Sequence, residues 1–220
     1  MGNTAHANFH ATALAAVNEA LTVLGQDVVL DELSTASANA HSRKAAYLYE
    51  SARVRVLRDH TWSFARRELA VPGDAYMACP AHGGPGAAFP FRYARPPRCA
   101  RVLSCFGPGG LAVHHRLSAN EVQAAAPVAR IAYLADVEDL DKWSPDAYRA
   151  LVLRLAADLA KPITGRINER QLQEQAYADQ LAAAKLNDAR EANVPYDAYE
   201  DNHFARVMRG DFRAAPPWRR

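Results

Sequence analysis

Cysteine is scarce in this chain: Cys79, Cys99 and Cys105 are all there is in 220 residues. Three is too few, and of the wrong parity, for a disulfide-stapled scaffold, so a reducing compartment and no structural disulfide are expected. Long apolar runs are missing as well. None approaches the ~20 residues needed to span a bilayer, and the first residues have neither the basic start nor the apolar stretch of a secretory signal. A soluble protein with no membrane partner, staying where it is made, is therefore expected. Familiar catalytic signatures are absent too: there is no G-x-S-x-G elbow, no H-E-x-x-H and no cysteine with an arguable histidine partner.

The residues that come nearest to chemistry fall short of it. Cys79 and His82, followed by Cys99, Cys105 and His114-His115, contain one close pair, whereas zinc sites favour close pairs at both ends. Gly83-Gly84-Pro85-Gly86 and Gly107-Pro108-Gly109-Gly110 lack the Lys-Ser/Thr of a phosphate loop, and their prolines remove amide donors, so they read as turns. Asp136, Glu138, Asp139 and Asp141 form an acidic cluster, but Leu140 stands where a calcium loop needs an oxygen ligand. A charged loop before a helix is the expectation there. No enzyme, cofactor or metal is expected.

What is present is enough for a core, with 50% hydrophobic and 23% charged residues. Charge is segregated along the chain. Residues 1–42 hold four acids and no Lys or Arg, 43–116 hold 12 basic and 4 acidic residues, 117–202 hold 9 and 15, and 203–220 hold 5 and 1. Such blocks suit nucleic acid, or a basic surface of one subunit meeting an acidic surface of another, or they interleave on folding into an ordinary mixed surface.

The clearest local signal runs from Tyr133 to Gly165. Ser144 reads as an N-cap, Pro145 as the first helical residue, and Asp146 as a carboxylate at the positive end of the helix dipole. Trp143 and Tyr148 occupy the staple positions. Tyr148, Leu151, Val152, Leu155 and Leu159 share a face, Arg149, Arg154 and Asp158 are expected to point elsewhere, and Pro162 and Gly165 end or kink the helix. Earlier, a helix is predicted from about Thr12 to Leu24 with Gly25 as its stop, then a short irregular stretch through Val28 to Leu33. A longer helix is predicted from about Ala38 to Asp59, with Ala45, Leu48, Tyr49, Ala52 and Val56 inward and Arg43, Lys44, Glu50, Arg53, Arg55 and Arg58 solvated.

After His60 the helical period disappears. Trp62 with Phe64, Leu69 with Val71, and Phe89, Phe91 and Tyr93 alternate as half-buried strands do. Ala100 to Phe106 and Ala129 to Ala135 read as further strands, and the turn at Gly107 returns the chain through Leu111 and Val113. Arg166 to about Ala192 reads as a polar helix with a weak apolar face, Leu172, Ala176, Leu181 and Ala184, that must lie on a partner or another helix. The expected architecture is α+β: a helical bundle interrupted by an antiparallel β insertion. Its parts are N-terminal helices in 1–60, the β insertion in 61–135, C-terminal helices in 136–192 and an extended arm in 193–220. In that last stretch Tyr196, Tyr199, Phe204, Phe212 and Trp218 lie among charges without a period, as in an arm that orders on a partner, a loose tail, or an arm folded on its own subunit.

Four stretches in this order and spacing resemble the tail tubular protein A family of short-tailed bacteriophages, the adaptor between portal and tail nozzle. They are Ala16-Val17-Asn18 with Leu21, Leu24 and Gly25; the helix ending in Arg58 and His60 that leads to Trp62-x-Phe64; Pro97 to Leu103; and Tyr133-Leu134-Ala135 with Trp143, Ser144-Pro145, Pro162-Ile163-Thr164-Gly165 and then Tyr177. Ala65, where family members commonly have Asn, the Cys-containing 72–86 loop and the aromatic tail depart from the pattern.

The resemblance covers about residues 12–192 and implies a virion protein of the tail or neck. It would form a ring, a dodecamer by resemblance, binding the portal and the nozzle protein, with double-stranded DNA passing through the channel unread. Phe204, Arg206, Arg209, Phe212, Arg213 and Trp218 are the candidate contacts to the portal or a neighbouring subunit, since aromatic and Arg side chains carry a large share of interface energy. The competing reading is a soluble DNA-binding protein that uses the basic 43–116 block, with Arg53, Arg55, Arg58, Arg66 and Arg67.

Overall fold

The computed structural model describes residues 12–27, 29–73 and 88–192. Helix α1 (Ala13–Val23) starts where the Thr12 side chain accepts the Ala15 N–H at 3.1 Å and stops before Gly25, whose φ of +66° suits a residue without a Cβ. Helix α2 (Ala40–Asp59) is capped by Asn39, and Ala45, Tyr49, Ala52 and Val56 are buried as their spacing predicts. Helix α3 (Pro145–Thr164) begins at Ser144, whose Oγ accepts the Ala147 N–H, and ends at Gly165 with φ +71°. Pro162 lies inside its last turn and does not stop it. Helix α4 (Ile167–Glu191) follows at once and packs along α3.

Among the described residues between α2 and α3 lie seven antiparallel strands: β1 (Arg66–Ala70), β2 (Phe91–Ala94), β3 (Cys99–Phe106), β4 (Ala112–Val113), β5 (His115–Ser118), β6 (Glu121–Ala124) and β7 (Arg130–Ala135). They form one sheet in the order β1-β7-β3-β4 and another in the order β2-β6-β5. The fold is thus α+β, helices flanking antiparallel sheets. No helix among the described residues is long and apolar enough to cross a membrane.

Two cores divide the apolar side chains. Tyr93, Val102, Cys105, Val122, Ala124, Val128 and Ile131 join the two sheets, and the Val128 N–H donates to the Tyr93 hydroxyl at 2.8 Å. The larger core unites the helices with Trp62, Ala65 and Leu134, so the four-stranded sheet is covered on both faces. Register shifts in β3 around Arg101 and Ser104 turn Val102 and Cys105 to the sheet core, while Ala100 and Leu103 pack on the helical one.

The structure corrects the sequence reading in both the helices and the β module. Trp62 and Phe64 are not strand residues: Trp62 precedes a single 3₁₀ turn (Ser63–Ala65) and its fully buried indole donates to the Val56 carbonyl at 2.8 Å. The ring stacks on Phe64, which meets Trp143 at 5.4 Å, so the alternation reflects aromatic packing against helices. The β5–β6 hairpin was not expected, because β5 is exposed along most of its length and has no apolar alternation to betray it.

Helix α3 is enclosed rather than one-faced, every residue from Ala150 to Ala157 being buried, Arg154 included. Arg154 survives there because Asp158, one turn on, accepts its Nε–H at 2.9 Å and Tyr177 lies under its guanidinium. On α4 the buried positions are Gln173, Tyr177, Ala184 and Asp188, whereas Leu172 is exposed. Polar side chains hold that helix to its neighbours, which is why its apolar period looked weak.

Candidate functional site

The six candidate contacts in the arm, Phe204, Arg206, Arg209, Phe212, Arg213 and Trp218, lie outside the described residues, as do Cys79 and His82. Among the described residues no group of three His, Cys, Asp or Glu side chains is arranged to hold a metal ion. Cys99 and Cys105 are free thiols, and burial pushes the Cys105 thiol up to about 11, which removes its nucleophilic form at neutral pH.

The acidic loop is occupied with its own structure. Asp136 accepts both Nη groups of Arg53, at 2.5 and 3.3 Å, and Glu138 accepts Arg98 at 2.6 Å. Asp139 caps the short 3₁₀ turn Leu140–Lys142, taking the Asp141 N–H at 3.2 Å and Lys142 at 3.0 Å; the Lys142 bond holds its carboxyl below the usual range.

Arg53 is the main correction to the basic block. It was expected on the solvated side of α2 but is 2% exposed, where it also donates to the Val137 carbonyl at 3.2 Å and to Glu50 at 2.8 Å. Desolvation opposes its charge, but the bonds to Asp136 and Glu50 outweigh it, so the pKa lies above the ordinary arginine value. It ties α2 to the end of β7 and offers nothing to a ligand. Arg55, Arg58, Arg66 and Arg67 remain exposed.

A second tie has residue types that invite a catalytic reading. His60 Nε2 lies 3.0 Å from Asp188 Oδ2, and Ser63 Oγ donates to Asp188 Oδ1 at 2.7 Å. Serine and histidine both address the carboxylate, whereas a nucleophilic triad needs the histidine between the other two. The Ser63 N–H also points at Asp188, at 3.1 Å, so the arrangement clasps the last turns of α4 to the α2–β1 junction. Sequence spacing could not have found it, since the partners are 128 residues apart.

The surface best suited to a partner is the outer side of the α3–α4 corner. Ile167 and Leu172 are 61% and 62% exposed, and Leu186 continues the exposed side of α4. Val23, Leu24, Ile163 and Leu172 line an adjoining cleft of about 670 Å³ between the end of α1 and this corner, with Arg166 and Glu169 supplying one charge of each sign. Exposed apolar side chains flanked by charge are the composition of a protein contact more than of a small-molecule pocket.

No protein-family model matches the chain, and neither does any curated protein.

Proposed function

We propose that this protein is a non-enzymatic head–tail adaptor: copies assemble as a ring between a portal and a tail nozzle and leave a channel for the genome. The observation that carries the reading is the arrangement of the chain, helix pair, antiparallel β module, helix pair, which is what the resemblance of the four motif stretches implies. A ring presents two different faces of each subunit to its neighbours, a heterologous contact that closes by rotation. The exposed apolar side of α4 supplies a surface for one of them. Residues 193–220 supply the docking arm, with Phe204, Phe212 and Trp218 as anchors and Arg206, Arg209 and Arg213 as charge partners.

Electron microscopy of the purified protein mixed with the portal of the same virion tests the reading. A ring of this chain seated on the portal is expected, and failure to bind portal at any concentration would sink the proposal. Removal of 203–220 isolates the arm: retained portal binding in the shortened chain would end the arm's role while leaving the ring intact.

A further inference from the structure

Where the helical bundle meets the β module, a cleft of about 630 Å³ opens between the last turns of α2 and the two turns at the near end of the strands. Arg58, Arg95, Arg98, Asn120 and Asp136 give it its polar lining. Two of these charges are already neutralised: Asp136 by Arg53, which it shares with the largely exposed Glu50, and Arg98 by Glu138. Neither Arg58 nor Arg95 forms an ion pair with any described residue. Arg95 is also fixed in place, its backbone N–H donating to the Asn120 carbonyl at 2.9 Å and its Nη2 to the Cys99 carbonyl at 2.6 Å. Its Nε is buried with no hydrogen-bond partner. A half-buried guanidinium held by carbonyls, with no carboxylate of the described residues within ion-pair distance, carries a charge that protein interiors ordinarily pair.

We propose that this cleft binds a phosphate dianion. Two unpaired guanidinium groups match its two charges, and the planar fork of arginine matches its oxygens; a single carboxylate or a phosphodiester would neutralise only one. The Asn120 amide, on the β5–β6 turn, adds a neutral donor or acceptor at the rim. The volume exceeds what one phosphate fills, so the group fits either as inorganic phosphate or carried on a small organic molecule such as a nucleotide. The site lies within one subunit and does not depend on ring assembly.

Calorimetric titration of the full chain with inorganic phosphate in a chloride buffer tests this. Saturable binding in the millimolar range or tighter is expected, weakened about tenfold by Arg58→Gln, the loss of one charge-assisted contact, and unchanged by Arg170→Gln on α4, which gives no residue to the cleft. Arg58 is exposed and its removal does not endanger folding; Arg95→Gln, which loosens two carbonyl contacts, is a second variant. Phosphate affinity should fall as the pH drops through about 7, where the inorganic dianion takes up a proton, and that of a phosphate monoester only at pH ~6, while sulfate affinity should not. A nucleoside 5′-monophosphate binding more tightly than phosphate assigns the cleft to a carried phosphate, and equal affinity assigns it to the free ion. Absence of saturation, indifference to Arg58→Gln, or equal competition by closed circular duplex DNA, which offers only diesters, would overturn the proposal.

Discussion

The carboxylate of Asp188, 5% exposed near the end of α4, accepts hydrogen bonds from both the N–H and the hydroxyl of Ser63, 125 residues earlier, at 3.1 and 2.7 Å. With His60 as a further neighbour, this one buried carboxylate joins α4 to the end of α2 and the following 3₁₀ turn. Asp188→Ala is expected to cost about 2 kcal/mol, because it removes a charged acceptor of the Ser63 N–H and hydroxyl and the contact to His60. Urea unfolding of the variant measures it, and a loss below ~1 kcal/mol would show that the clasp is ornamental to stability.

The same contact makes stability depend on pH. Burial holds the His60 pKa below its ordinary 6.5, outweighing the attraction of Asp188 and assisted by Lys185 and Arg101. A histidine of depressed pKa binds fewer protons folded than unfolded, so its contribution is complete above 6.5 and is lost as the pH falls through the folded value. Unfolding free energies measured between about pH 7.5 and pH 5 should decline less steeply in His60→Gln than in the parent chain. Parallel slopes would assign the acid sensitivity to other groups.

At Gly165 a Cβ would meet nothing within 4 Å, yet φ is +71°. Gly165→Ala should therefore cost only the left-handed backbone penalty, about 1 kcal/mol, with no repacking of α3 against α4. Thermal unfolding and the near-ultraviolet dichroism of Trp143 and its neighbours give both readings. A loss of several kcal/mol, or a changed aromatic spectrum, would mean that the turn carries more than a backbone requirement.

Ring assembly, if the basic 43–116 block meets the acidic 117–202 block across the contact, should weaken as ionic strength rises toward about 1 M, where screening shortens to ~3 Å. Arg53 and Arg154 are spent on internal pairs, which leaves Arg55, Arg66 and Arg67 among the cations able to take part. Sedimentation at increasing salt measures the effect. Assembly indifferent to salt would assign the contact to apolar packing through Ile167, Leu172 and Leu186.

Local signals were legible in the sequence wherever one residue decides the outcome. Thr12, Ser144, Pro145 and the glycines at 25 and 165 mark helix ends by their own geometry, and all do so in the structure. The short apolar stretches that became β3 and β7 were legible as strands, although neither alternates in burial. Features made by partners far apart were hidden. Arg53 looks solvated until Asp136 and Val137 are brought to it, and Trp62 looks like a strand residue until α2 offers its Val56 carbonyl. The polar stripe of α4 hides its packing face because Tyr177 and Asp188 are buried through hydrogen bonding as much as through apolar contact. Of the cleft beside α2, only its surplus of arginine was visible, since Arg95 and Asn120 are brought together by the pairing of β2 with β6, and Arg58 joins them only where α2 packs on β3.

Strand β7 pairs with β1 on one side and β3 on the other, and it gives Ile131 to the core between the sheets and Leu134 to the helical core. The β module is for that reason not portable. Cut out at its two junctions and grafted elsewhere, it would carry Ala65 and Leu134 as bare apolar surface and strand Trp62, Leu57 and Trp143 on an uncovered bundle. Whatever variation this protein's lineage has explored in the β module, exchange of that module as a cassette is closed to it, and change must come through the turns and outer strands that only one of the two cores touches.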